Sequence, residues 1–149
     1  MCGIAGWIDW EQDLTRGRNV NVLQKMQETL KLRGPNEKGQ WFDQQVGLVH
    51  RRLVVIDPEG GKQPMIKRKG GNKYVMVYNG ELYNTSDLRA KLRQSGYSFK
   101  GHSDTEVLLT AYIEWGVDCA KYLNGIYAFA IWDVRREQLY MARDRIGVK

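Results

Sequence analysis

The chain has 149 residues and a net charge of +6, with 23 lysines and arginines against 17 aspartates and glutamates. A hydrophobic share of 42% with only three prolines excludes disordered and collagen-like classes, and the length suits one soluble domain with a buried core. No apolar run approaches the roughly 20 residues of a membrane helix, and two cysteines cannot form a disulfide scaffold, which favours a cytoplasmic setting. The basic residues are scattered, so we expect neither nucleic acid nor a membrane as a partner.

The first half of the chain predicts short strands around one amphipathic helix. Leucine and methionine recur at helical spacing over about residues 20–32, and Arg33-Gly34-Pro35 ends that helix. The basic residues 67–69 precede Gly-Gly-Asn, which are turn-forming residues, and this predicts a solvated hairpin tip. Short apolar runs predict strands over residues 3–8, 46–50, 53–57 and 73–78.

The second half predicts two capped helices and a closing pair of strands. Ser86 and Gly96 bracket a helix over residues 87–93. Ser103 stands three residues before Glu106, a capping box that predicts a helix ending at Gly116. The last strands are predicted over residues 126–132 and 138–143. Because the strands come as antiparallel-looking neighbours with helices beside them, the pattern favours an α+β domain over a doubly wound parallel sheet.

Cys2 directly follows the initiator Met1. Removal of Met1 would leave one residue that carries both a thiol and an α-amine. An α-amine has a pKa near ~8, so part of it is neutral at pH 7 and can act as a base. Such an arrangement activates an N-terminal nucleophile. On the first three residues alone, however, a chance cysteine is the simpler interpretation.

Two further segments each allow a structural and a functional interpretation. Asn79-Gly80 follows an apolar strand, where Asn-Gly is typical of a hairpin turn. An Asn side-chain amide and an unobstructed Gly N–H can also donate to one point, as an oxyanion hole requires. Likewise, Ser103-Asp104-Thr105-Glu106 is on its own a helix cap.

Seven motifs in register resemble the class II glutamine amidotransferase domain, most closely that of the glutamine-hydrolysing asparagine synthetases. Any one motif is weak, but the seven together span the whole chain. The sequence departs from the family at Leu32, where a histidine often precedes Arg-Gly-Pro. The motifs occupy residues 2–6, 33–35, 50–53, 78–84, 103–106, 123–133 and 143–149.

The resemblance implies a four-layer αββα sandwich of antiparallel sheets, the N-terminal-nucleophile hydrolase fold. It implies that Cys2 is the nucleophile once Met1 is removed and that Asn79 and Gly80 form the oxyanion hole. The implied glutamine-binding residues are Arg52 for the α-carboxylate, Asp104 for the α-ammonium with Glu81 beside it, the Asn79-Gly80 pair, and the strand backbone of Leu53, Val54, Val55 and Ile56.

The implied reaction is hydrolysis of the glutamine side-chain amide through a Cys2 thioester, with the ammonia passing to ATP-dependent synthesis of asparagine from aspartate. Two alternatives stay open. One is the glutaminase domain of another amidotransferase, of the glucosamine-phosphate, purine or glutamate synthase type or one that amidates a different carboxylate. The other is a non-catalytic glutamine-binding relative.

The resemblance also carries expectations about cofactors and partners. No cofactor or metal is expected in this stretch, since ATP and magnesium would belong to a synthetase domain of the same chain. Residues 1–149 would then be an amidotransferase domain that is incomplete at its C-terminus. Glutamine is the expected substrate, and a homodimer is left open.

Overall fold

A computed structural model describes residues 1–54 and 60–149. The strands are β1 (Gly3–Ile8), β2 (Glu37–Phe42), β3 (Val46–Arg52), β4 (Met65–Lys69), β5 (Asn72–Leu82), β6 (Gly125–Asp133) and β7 (Gln138–Arg143). The α-helices are α1 (Gly17–Thr29), α2 (Thr85–Gln94) and α3 (Asp104–Trp115), and a 3-10 helix follows at Gly116–Tyr122.

The strands form two antiparallel sheets that pack face to face. Sheet A has the order β1-β3-β2, and sheet B has the order β4-β5-β6-β7. Helix α1 packs on sheet A, whereas α3 packs on sheet B with α2 beside it. The layers therefore follow the order helix, sheet, sheet, helix, which confirms the predicted αββα sandwich.

Strand β5 is buried on both of its faces, because successive side chains of a strand point to opposite sides. Met76 and Tyr78 pack in the core between sheet B and the helices. Val75 and Val77 pack in the second core, between the two sheets. All four side chains are almost fully buried, so β5 is a firmly held element in the centre of the molecule.

Strands β2 and β4 are absent from the sequence prediction because their residues, EKGQWF and MIKRK, are largely polar. The basic run predicted as a hairpin tip lies within β4, and the turn itself is formed by Gly70 and Gly71, both with positive φ. Lys67 is not simply solvated, since its ammonium lies 3.0 Å from the Glu106 carboxylate.

Several predicted boundaries also differ from the structure. Helix α1 begins at Gly17 rather than near residue 20, and α2 begins at Thr85, directly after Asn84, rather than after Ser86. Of the strand predicted over residues 53–57, Leu53 and Val54 are not in a strand, and residues 55–57 lie outside the described residues.

Candidate active site

A cleft of about 200 Å³ lies between the start of β1, the end of β3, the C-terminal half of β5 and the N-terminus of α3. It brings together most of the site residues predicted from the sequence, namely Cys2, Arg52, Leu53, Asn79, Gly80, Glu81 and Asp104. Val54 does not line the cleft, and its N–H donates to Asn36 Oδ1 at 3.0 Å. Val55 and Ile56 lie outside the described residues.

Cys2 precedes β1 and is partly exposed at the mouth of the cleft. Strand β1 runs antiparallel to β3 with Gly3 opposite Arg51, so the register brings Cys2 to the level of Arg52. The Cys2 Sγ lies 3.7 Å from the carbonyl oxygen of Leu53. The Cys2 carbonyl accepts a hydrogen bond from Nε of Arg33 at 3.4 Å. Sheet pairing therefore sets the thiol beside the predicted carboxylate-binding arginine.

Arg52 is 4% exposed and enters the cleft from the end of β3. One guanidinium nitrogen lies 2.9 Å from Oε2 of Glu37, which fixes the orientation of the side chain. The neighbouring Arg51 does not line the cleft and pairs with Glu28 at 2.6 Å, since adjacent strand residues face opposite sides. The structure thus places Arg52, the arginine that the resemblance implies for glutamine binding, in the cleft and turns Arg51 away from it.

Strand β5 continues beyond the end of its neighbour β4, and this exposes one edge of its backbone. The pairing of β4 with β5 stops where Met65 lies opposite Met76, whereas β5 runs on to Leu82. Asn79-Gly80 therefore lies within a strand, and of the two interpretations of this dipeptide the hairpin turn is wrong. Gly80 is needed for the pairing with β6, because a Cβ there would lie 2.3 Å from the carbonyl oxygen of Ile126.

The N–H groups on this exposed edge of β5 meet the cleft. Beyond β5 the same pairing with β6 continues, and there the Tyr83 N–H donates to Asn124. Because backbone groups alternate sides along a strand, the N–H groups of Tyr78, Gly80 and Leu82 point away from β6. The first donates to Gln63 Oε1 at 2.5 Å and the last to Asp104 Oδ2 at 3.2 Å.

Between these two capped N–H groups, the N–H of Gly80 has no hydrogen-bond acceptor within residues 1–54 and 60–149, and Gly80 lines the cleft. The neighbouring Asn79 is 8% exposed, and its side-chain amide likewise has no hydrogen bond to another described residue. Two neighbouring donors thus border the cleft that holds Cys2, as an oxyanion hole requires.

Asp104 opens helix α3, where Ser103 Oγ caps the helix by accepting from the Glu106 N–H at 3.3 Å. The Oδ2 of Asp104 accepts from the Tyr78 hydroxyl at 2.7 Å and from the Leu82 N–H at 3.2 Å. Burial, together with the nearby Asp104 charge, raises the pKa of Tyr78 far above its usual range. The hydroxyl therefore stays protonated and acts as a donor that orients the carboxylate.

Glu106 supports the loop that leads into Asp104. In a capping box its carboxylate would accept from the N–H of Ser103, but here it accepts from groups earlier in the loop. Its carboxylate accepts from the N–H groups of Lys100 and Gly101 and from the Lys67 ammonium. Burial opposes its ionisation, but the Gly101 N–H, the Lys67 ammonium and the Lys100 N–H outweigh burial and lower the pKa of Glu106. The charged form of Glu106 thus fixes the backbone just before Asp104.

His50 is 1% exposed and lies on β3, with its Nε2 3.2 Å from the carbonyl oxygen of Tyr78 on β5. Burial lowers the pKa of His50 to about 4. The imidazole is therefore neutral near pH 7 and faces backbone rather than the thiol. Sequence reasoning missed this contact and the cleft positions of Gln63, Tyr78 and Lys149, since only the fold brings these residues together.

The described part of the chain offers no group of three or more His, Cys, Asp or Glu side chains that could hold a metal ion. In the same residues, no helix is both long enough and apolar enough to cross a membrane.

Comparison with known proteins gives concordant matches. The family model of the glutamine amidotransferase domain matches residues 1–149. Asparagine synthetases [glutamine-hydrolyzing] 3 and 1 of Bacillus subtilis are 50% and 37% identical to the chain over its full length. The amidase chry2 of Gibberella zeae is 36% identical, again over all of this chain. The chain spans only about a quarter of these relatives, covering 24%, 23% and 23% of their lengths.

Among solved structures, glutamine phosphoribosylpyrophosphate amidotransferase of B. subtilis, complexed with ADP and GMP, superposes with a TM-score of 0.58 at 26% identity. The match covers 71% of this chain and 25% of that one. Sequence, fold and cleft geometry agree, and the chain belongs to the glutamine amidotransferase domain family.

Proposed function

We propose that this chain hydrolyses the side-chain amide of glutamine at Cys2 and supplies the ammonia for ATP-dependent synthesis of asparagine from aspartate. One observation carries the hydrolytic part of the proposal. A thiol, a guanidinium, a carboxylate and two neighbouring hydrogen-bond donors converge on a single cleft, although they come from β1, β3, β5 and α3. The relatives named as glutamine-hydrolysing asparagine synthetases support the acceptor.

The charges of the cleft suit the two ends of an amino acid. The Arg52 guanidinium can hold the α-carboxylate of glutamine, because its planar fork matches that anion. The Asp104 carboxylate can hold the α-ammonium, and both bonds that orient it fall on Oδ2. Glu81 lines the same cleft and adds a second negative charge near the ammonium.

The chemistry then follows from the position of Cys2. The free α-amine takes the thiol proton, and the sulfur attacks the side-chain carbonyl carbon of glutamine. The oxyanion that forms accepts from the Gly80 N–H and the Asn79 side-chain amide. Collapse of this tetrahedral intermediate breaks the C–N bond of the side-chain amide. The leaving nitrogen takes the proton from the α-ammonium of Cys2 and departs as ammonia. Water then hydrolyses the γ-glutamyl thioester to glutamate and restores the thiol.

Met1 must leave before this reaction can start. While Met1 is attached, the nitrogen of Cys2 is an amide and is not a base. Met1 also lines the cleft, and its sulfur contacts the Lys149 ammonium. Removal of Met1 would therefore create the base and clear space beside the thiol.

The ATP-dependent synthesis of asparagine would be carried out by residues other than those that the structure describes. We assign ATP and magnesium to a synthetase domain of the same protein, since the relatives are about four times longer than this chain, which covers 24% of the first of them. We place the reaction in the cytoplasm, where Cys2 and Cys119, both free, would stay reduced.

Covalent labelling tests the hydrolytic role. The processed chain is treated with a glutamine analogue that carries an electrophile in place of the side-chain amide, and adducts are located by mass spectrometry. Cys119 is a built-in control, because burial raises the pKa of its thiol to about 12. We expect one adduct, on Cys2, and slower labelling in Asp104→Asn. A processed chain that takes no adduct, or takes it on Cys119, would contradict the proposal.

A further inference from the structure

The backbone N–H and the backbone carbonyl of Tyr78 are held by two side chains where a neighbouring strand would normally hold them. Beyond Met76, strand β5 has β6 on one side and no longer has β4 on the other. At Tyr78 the Gln63 Oε1 accepts from the N–H at 2.5 Å, and the His50 Nε2 lies 3.2 Å from the carbonyl oxygen. These two side chains replace the pair of ladder bonds that β4 would make.

His50 is itself a rigid support for this contact. It lies on the central strand of sheet A, between Ile4 on β1 and Gly39 on β2. Its own carbonyl accepts from Nε2 of the buried Gln27 at 3.0 Å. A carbonyl oxygen can only accept, so the neutral imidazole carries its proton on Nε2 and donates to Tyr78 across the interface of the two sheets.

Gln63 reaches Tyr78 because its backbone lies against β2. A Cβ at Gly39 would come within 1.8 Å of the Gln63 carbonyl oxygen, so this approach depends on glycine. His50 and Gln63 thus both transmit the position of sheet A to the backbone of one residue of sheet B, Tyr78. That residue directly precedes Asn79 and Gly80.

We propose that His50 is a positioning residue which, with Gln63, fixes the backbone of Tyr78 and thereby sets the oxyanion donors of Asn79 and Gly80. The inference rests on the proposed function. Such donors act only when they lie about 2.7–3.1 Å from the developing oxyanion. A displacement of 1 Å in a reacting geometry can cost about 100-fold in rate. Arg52 and Asp104 stand on β3 and α3, and Asp104 meets β5 through the Tyr78 hydroxyl and the Leu82 N–H rather than through the two clamped backbone groups of Tyr78. We therefore expect glutamine binding to depend less on this clamp than the oxyanion donors do.

The test compares His50→Leu, which removes the donor and puts an apolar side chain in its place, with His50→Gln, which keeps an N–H at a similar reach. Glutamate release is measured on the full chain after removal of Met1. For His50→Leu we expect kcat to fall at least about tenfold while KM for glutamine stays within about twofold. His50→Gln should recover kcat to within about threefold of wild type. Alkylation of Cys2 by iodoacetamide needs no oxyanion hole and should keep its rate in both variants.

The outcomes separate this inference from the proposed function. Unchanged kcat in folded His50→Leu, or an equal loss in His50→Gln, would overturn the positioning role. If His50→Leu does not fold, Gln63→Leu removes the other end of the clamp from a half-buried position, and it should lower kcat in the same way; unchanged kcat there also overturns the inference. If the processed wild-type chain shows no Cys2-dependent turnover, the proposed function itself fails, and this inference fails with it.

Discussion

The hydroxyl of Tyr78 donates a 2.7 Å hydrogen bond to Oδ2 of Asp104 and so links the centre of β5 to the first turn of α3. The Leu82 N–H donates to the same oxygen. With both bonds on Oδ2, Oδ1 is the oxygen left to face a substrate ammonium. Because burial and the Asp104 charge keep the Tyr78 hydroxyl protonated, the link persists throughout the neutral pH range.

Tyr78→Phe should weaken glutamine binding without slowing the chemical step. The ring keeps its packing, but Asp104 loses the donor that orients it. A hydrogen bond to a charged group contributes about 1.5–3 kcal/mol, and losing part of it should raise KM for glutamine about fivefold, with kcat within about twofold of wild type. Steady-state glutamate release measures both constants. Tyr83→Phe, at an exposed tyrosine, is the matched control; a fall in kcat at unchanged KM would contradict the assignment.

Asp104→Asn keeps the oxygen that accepts from Tyr78 and Leu82 but removes the charge. We expect KM for glutamine to rise about 10- to 100-fold, since charge-assisted hydrogen bonds are about twice as strong as neutral ones. A glutamine analogue without the α-amino group should bind wild type and variant about equally. Asp118→Asn, on an exposed carboxylate paired with Lys121, should behave as wild type. An equal loss for both substrates would remove Asp104 from ammonium recognition.

Asn79→Ala removes one of the two oxyanion donors. By comparison with other oxyanion holes, kcat should fall roughly 100- to 1000-fold, while KM for glutamine changes little. Asn21→Ala is the control for loss of an asparagine, because Asn21 is exposed on α1 and does not line the cleft. A fall of less than about threefold in kcat would show that the Asn79 amide does not face the reacting carbonyl.

His50 predicts a pH dependence of stability. Its pKa is lowered from 6.5 to about 4 in the folded chain, so between these values the unfolded state binds more protons. The stability that the folded chain gains by keeping His50 neutral is complete above pH 6.5 and is lost as pH falls toward 4. The free energy of unfolding should fall by up to about 3 kcal/mol over this range. Urea unfolding of wild type and His50→Gln at pH 7 and pH 5 measures it. The variant should lose less stability on acidification; identical losses would exclude His50 as the cause.

Local motifs alone left Cys2 and Asp104 with simple structural interpretations, and only the seven motifs in register implied them, with Arg52, as site residues. The fold brings all three to one cleft. Local propensity alone favours a turn at Asn79-Gly80, but pairing with β6 overrides that propensity and extends the strand. The roles of His50 and Gln63 could not be predicted, because each depends on a contact with Tyr78 made only across folded elements.

Glutamate release from glutamine is the most direct measurement of the central claim. The chain is assayed after intact mass shows that Met1 has been removed, beside Cys2→Ala and beside a sample that retains Met1. The account predicts turnover in the processed wild-type chain and none in the other two, because one lacks the thiol and the other lacks the free α-amine. Equal glutamate release from Cys2→Ala, or no release from the fully processed chain, would contradict it.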